Sequence, residues 1–148
     1  MTVSPVTVEP PTEATDPPAT TGEIDAGDLV DPEVISVTID GRVLLVALAD
    51  TPQTRSRGLM GAENLGALDG MLFDLGSQRS VAFTMRNTRI PLDISFFDET
   101  GAGVGRLEMV PCEEEPCPTY SIDAPARYAL EVPAGSLDLG EDPTLSLP

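Results

Sequence analysis

VAFTMRNTRIPLDISFFD, running from Val81 to Asp98, decides the fold, because two apolar runs of strand length enclose a polar corner at Arg86-Asn87-Thr88-Arg89. Short apolar runs bounded by turn residues are the pattern of buried strands. Val81–Met85 alternates between inward and outward positions, and Pro91 stands where the next strand begins, a place that needs no N–H donor. In that second strand Leu92, Ile94 and Phe96 share one face, and Asp93, Ser95 and Phe97 share the other. A carboxylate among apolar neighbours is penalised by burial, so Asp93 and the corner beside it are the first place to look for chemistry.

Working outward, Ile35, Val37 and Ile39 alternate with Ser36 and Thr38, Asp40-Gly41 supplies left-handed turn residues, and Val43–Ala49 forms the return strand of a hairpin. Thr51-Pro52 is an N-cap and first-turn pair, which predicts a helix from Pro52 to about Met60 with Gly61 able to end it. Met71-Leu72-Phe73 continues the apolar pattern, Asp98–Gly101 is a turn, Val104–Val110 and Arg127–Val132 are strands, and Thr144–Leu147 adds a short edge. Many short strands and one brief helix predict a mainly β fold, an antiparallel sandwich or barrel.

The chain has 148 residues and a net charge of −17, from 25 acids against 8 bases, all of them arginine. That balance disfavours binding to a nucleic-acid backbone. The first 33 residues hold eight acids, six prolines, six threonines, no base and no aromatic, so residues 1–33 are expected to be a disordered acidic tether and 34–148 the β domain. No apolar run is long enough for a transmembrane segment, and MTVSPVTVEPP lacks the basic and apolar regions of a signal peptide. A domain of this size buries a core without needing an oligomer.

Cys112 and Cys117, the only cysteines, lie in PCEEEPC with a proline flanking each. The spacing suits a small disulfide-closed loop and hence an oxidising compartment. Zinc is poorly served without histidine or a third cysteine, and free thiols are the remaining alternative. The expected location is extracellular or cell-surface tethered, with Met1 following a removed export signal.

The absence of histidine excludes Ser-His-Asp and Cys-His machinery, and there is no Walker loop or GxGxxG fingerprint. No cofactor or metal is called for. The candidate polar set is Arg55, Arg57, Arg86, Asn87, Asp93, Tyr120, Ser121, Tyr128 and Glu131. Asp93 is expected to be held ionised by Arg57 or, second, Arg86, because its own strand offers no cation. Glu131 in ALEV has the alternation of an outward, solvated strand residue, yet Asp93 and Glu131 together are the candidate catalytic carboxylates of a glycosidase-like hydrolase. Arg57, Arg86, Asn87, Asp93 and Tyr128 are the candidate ligand-binding residues, with arginine forks suited to carboxylate, phosphate or sugar hydroxyls.

From about Val34 to Leu147 the chain resembles the DUF192 family, through TPQTRSRGLM at Thr51–Met60, GMLF at Gly70–Phe73, the central run, PCEEEPC at Pro111–Cys117 and ARYALEVPAG at Ala126–Gly135. It departs from that family's usual pattern at Gly61-Ala62, where an aromatic-basic pair is common, and at Thr84, where an aromatic is common. The resemblance implies a jelly-roll-like β architecture and, for exported members, a stalk ahead of the domain. The expected function is a secreted or surface-tethered binding or accessory module for a small polar or carbohydrate ligand. The alternatives are a carboxylate-dependent hydrolase and a structural envelope protein with no small ligand.

Overall fold

The structure is a computed structural model that describes residues 24–148. Its elements are β1 (Glu33–Ile39), β2 (Arg42–Ala49), α1 (Pro52–Arg57), β3 (Gly70–Arg79), β4 (Phe83–Thr84), β5 (Leu92–Phe97), β6 (Gly103–Met109), β7 (Thr119–Tyr120), β8 (Ala126–Pro133) and β9 (Leu145–Ser146). Seven strands form one curled sheet in the order β9-β1-β2-β3-β8-β5-β6, and β4 pairs with β7 apart from it. The fold is mainly β with one short helix. The sheet is mixed: β2 and β3 run parallel, joined by the crossover that carries α1, and every other pairing is antiparallel. No described helix is long and apolar enough to cross a membrane.

The β1–β2 hairpin forms as its turn residues dictate, with Asp40 at φ 51° and Gly41 at φ 85°, and Ile39 opposite Arg42. Thr51 caps α1 through a reciprocal pair: its hydroxyl accepts from the Thr54 N–H, and the Thr54 hydroxyl accepts from the Thr51 N–H. The helix ends at Arg57 rather than near Met60, because Gly58 turns the chain at φ 51° while its N–H still bonds the Thr54 carbonyl. The strand expected over Val81–Met85 narrows to Phe83–Thr84, since only those residues find a partner, in β7.

Two apolar layers lie on the two faces of the sheet. Phe73, Met71, Leu92, Ile94, Phe96 and Ala129 belong to one, and Val37, Val46, Leu72, Phe97, Leu130 and Val132 to the other. The period-two split of β5 is as the sequence predicts, with Leu92, Ile94 and Phe96 on the first face and Phe97 on the second.

Residues 1–23 of the expected tether lie outside the described residues. The rest of it is docked: Ile24, Ala26 and Leu29 pack against the first layer, and one Asp28 oxygen accepts from the Glu63 and Asn64 N–H groups, both at 2.9 Å. Gly27 passes so close to Asn64 that a Cβ there would lie 2.0 Å from its carbonyl oxygen. The domain therefore begins by Ile24, not at Val34, a correction that composition hid because three spaced apolar residues sit among acids. A chain starting at Glu33 should melt roughly 5 °C or more below one starting at Glu23, because it no longer buries the side chains of Ile24, Ala26 and Leu29. Equal midpoints by circular dichroism would show the segment to be dispensable.

Candidate functional site

Strand β8 is paired along both edges, so Glu131 stands opposite Met71 of β3 and Ile94 of β5. Both neighbours are apolar and buried. Glu131 shares the first face with Ala129, and there α1, the loop after it and the 81–84 segment cover the sheet. The outward, solvated position expected of Glu131 is thus corrected: it is 4% exposed. Burial pushes its carboxyl up to about 8, and among the described residues no hydrogen bond or ion pair meets it.

Glu131 faces a cleft of about 290 Å³. Phe73, Leu75 and Phe83 give it an apolar floor, and Arg55, Arg57 and Arg79 its charge. Thr84 and the buried Thr88 add hydroxyls. Arg55 ties helix to sheet, its Nη1 donating to the Asp74 carbonyl at 3.0 Å. The Asp74 carboxylate is itself engaged by Arg127 at 2.8 Å. Desolvation pushes the Asp74 carboxyl up, but the Arg127 hydrogen bond, the Gly76 N–H and the charges of Arg127 and Arg55 together hold it below the usual carboxylate range.

Of the eight arginines, Arg86, Arg89, Arg106 and Arg127 pair with carboxylates. Among the described residues Arg42, Arg55, Arg57 and Arg79 do not, and three of those four line the cleft.

The remaining sequence candidates lie elsewhere. Asp93 points to the second face, where its carboxylate accepts from the Gly135 N–H at 3.0 Å and stands 3.7 Å from Arg106. Arg57 and Arg86 are not its partners, because the register that sets Asp93 opposite Val132 puts it across the sheet from α1. Asp93 and Glu131 are on opposite faces and do not form a catalytic pair. Tyr128 packs against the second layer with Arg127 over its ring, and the Tyr120 hydroxyl accepts from the Val110 N–H at 3.3 Å. Ser121 is exposed and does not line the cleft.

Arg86 and Asn87 serve the architecture of the corner. Cys112 and Cys117 are joined in a disulfide, and Arg86 pairs with Glu115 inside that loop at 3.0 Å, both side chains well exposed. Asn87, at φ 56°, donates its N–H to the Cys112 carbonyl and accepts from the Gly61 N–H at 2.8 Å. The corner thus links the disulfide loop to the loop beside the cleft and sets Thr88 in its wall. Of the candidate ligand-binding residues only Arg57 lines the cleft, joined by the candidate carboxylate Glu131 and by Arg55.

Arg79, Thr84, Thr88 and the phenylalanine floor were not among the sequence candidates. One signal does point to them: residues 51–62 and 75–92 contain no acid, yet hold five of the eight arginines, and nearly all of the cleft lining comes from those stretches.

With this geometry in place, a family model, DUF192, described as "Uncharacterized ACR", matches residues 35–141. The chain belongs to the DUF192 family. No curated protein matches it. It is similar to a crystal structure from Sinorhizobium meliloti, of a protein to which a transcription-regulator role is ascribed, at 31% identity and a TM-score of 0.71 over 80% of this chain and 97% of that one. It is also similar to a protein of unknown function from Novosphingobium aromaticivorans, at 25% identity and a TM-score of 0.64 over 84% of this chain and 97% of that one.

The Glu131 environment dictates a pH dependence. Between the ordinary 4.5 and about 8 the folded chain keeps a proton that the unfolded chain has released. Raising pH through that window therefore favours unfolding, by up to about 1.4 kcal/mol per pH unit, and below it the effect is absent. Glu131→Gln should remove this slope, so that denaturant midpoints of the two proteins converge at low pH and the variant is the more stable at high pH. Parallel curves across the window would mean that Glu131 ionises freely.

Proposed function

We propose that this DUF192 domain is a binding module that holds a small polar ligand, a carbohydrate or an organic acid, in the cleft between α1, β3 and the 81–84 segment. One observation carries the reading: a buried carboxyl without a partner among the described residues faces a cleft whose arginines also lack carboxylate partners among those residues. Burying an unmatched acid costs stability, and groups kept at such a cost concentrate at functional sites. The apolar floor with a few convergent polar groups is the ordinary build of a small-molecule site.

The hydrolase alternative loses its second carboxylate, since Asp93 serves the other face of the sheet. A purely structural role gives the unmatched groups no use. The regulator role ascribed to the Sinorhizobium meliloti protein is not carried over, because a net charge of −17 repels a phosphate backbone and, among the described residues, three of the four arginines without carboxylate partners are gathered in one small cleft. Placement outside the cell or tethered to its surface is supported by the Cys112–Cys117 disulfide and by the acidic Pro/Thr-rich stretch ahead of the domain.

A thermal-shift screen of sugars, sugar acids and small organic acids tests the proposal. At least one class should raise the melting temperature of the native chain, and the response should vanish in the Arg57→Ala, Arg79→Ala double variant while surviving in Arg106→Ala on the opposite face. A response indifferent to the double variant would place the ligand elsewhere.

A further inference from the structure

We propose that the cleft binds an organic carboxylate, and does so only while Glu131 is in its acid form. The ligand's carboxylate lies between the Arg57 and Arg79 guanidinium groups and the carboxylic acid of Glu131, which donates a hydrogen bond to it, while the ligand's apolar body rests on the half-buried Met60, Val81 and Phe83. The inference rests on the reading of the cleft as a ligand site and adds the chemical class of the ligand and its linkage to a proton.

Charge decides the sign of the ligand. Three arginines without carboxylate partners among the described residues leave the cleft positive on a molecule that is elsewhere acidic, so an anion gains there what a neutral sugar does not. The forked guanidinium matches a carboxylate bidentately. The floor decides the body: an inorganic anion would leave the half-buried Met60, Val81 and Phe83 uncovered, whereas an organic acid covers them and gains the burial.

Glu131 decides the proton. The charged groups that line the cleft with it are Arg55 and Arg57 from α1 and Arg79 from β3, none of them close enough to offset the effect of burial on its carboxyl; the 81–84 segment, Thr88, Met71 and Ile94 bring none. No ion pair joins Glu131 to any of these arginines, and the cleft of about 290 Å³ that all four line has room for a small ligand. In its acid form Glu131 can donate to a carboxylate; ionised, it repels the ligand and competes for the same guanidinium groups. Burial keeps the acid form up to about 8, so the binding-competent state prevails at neutral pH.

Isothermal titration of the full chain with benzoate, benzamide, inorganic phosphate and methyl glucoside separates the possibilities. Benzoate should bind at about pH 6 and weaken about tenfold by about pH 9, as the protonated fraction falls, although benzoate itself is ionised at both. Benzamide and phosphate should bind more weakly than benzoate. Glu131→Gln should keep benzoate binding and lose its pH dependence, because the amide donates at every pH; the Arg57→Ala, Arg79→Ala double variant should lose binding, with Arg106→Ala as the folded control. Equal benzoate affinity at both pH values overturns the proton linkage, and phosphate binding more tightly than benzoate overturns the carboxylate. Methyl glucoside binding in an arginine-dependent way without benzoate overturns this inference and leaves the cleft as a ligand site. No binding by any of the four overturns both.

Discussion

The double pairing of β8 is the constraint on which the rest of the structure depends. Because β8 joins β3 on one edge and β5 on the other, two independent registers fix which of its residues face the helix side. A slip of one residue would carry Glu131 to the face of Asp93 and bring Val132 under α1. Gly70 makes the close approach possible where β3 begins: a Cβ there would lie 2.1 Å from the Glu131 carbonyl oxygen. The backbone of the site is thus positioned by the sheet itself, and the cleft is assembled by whatever the β2–β3 crossover and the 81–84 segment lay over it.

Three carboxylates in this sheet meet burial in three ways. Asp74, partly exposed at the point where β3 leaves β8, takes an arginine at 2.8 Å and is held ionised. Asp93 takes the Gly135 N–H, with Arg106 at longer range. Glu131 takes neither, and burial answers by keeping it protonated. A buried ion pair must recover the desolvation of two groups, so a neutral acid is the less costly state when no cation can be brought to it in good geometry. Arginines do stand in the same cleft without closing on Glu131, and that distinguishes this acid from the other two.

Local chemistry made much of the fold legible. Asp40-Gly41, Thr51-Pro52 and the alternation of Leu92 to Phe97 each act within a few residues, and each formed as its residue types require. What was not legible was which side of a strand would be covered. ALEV reads as alternating with Glu131 outward, and it does alternate, but the outward face is roofed by segments some fifty and seventy residues earlier in the chain. The same blindness sent Arg57 to Asp93, since partner choice across a sheet depends on a register that no strand carries by itself. The docked residues 24–32 were missed because Ile24, Ala26 and Leu29 are too few and too widely spaced among acids to show a pattern, and they pack only where loop 63–67 receives them.

Charge placement along the chain, in contrast to charge at any one residue, does foreshadow the cleft. Acids outnumber bases threefold, so an arginine set at random on this surface meets a carboxylate, as Arg86 meets Glu115 and Arg89 meets Glu63. Among the described residues Arg57 and Arg79 avoid that outcome where the acid-free stretches 51–62 and 75–84 lie together over the sheet, whereas Arg86 and Arg89, further along, reach acids of other loops. The nearest carboxylate by backbone contact, Asp74, is already committed to Arg127, which leaves Arg55 only a carbonyl to bind. Asp74, paired with Arg127, is thus not free for Arg55, and Glu131, held neutral by burial, adds no negative charge of its own at neutral pH. The cleft thus holds three arginines that no acid among the described residues has claimed.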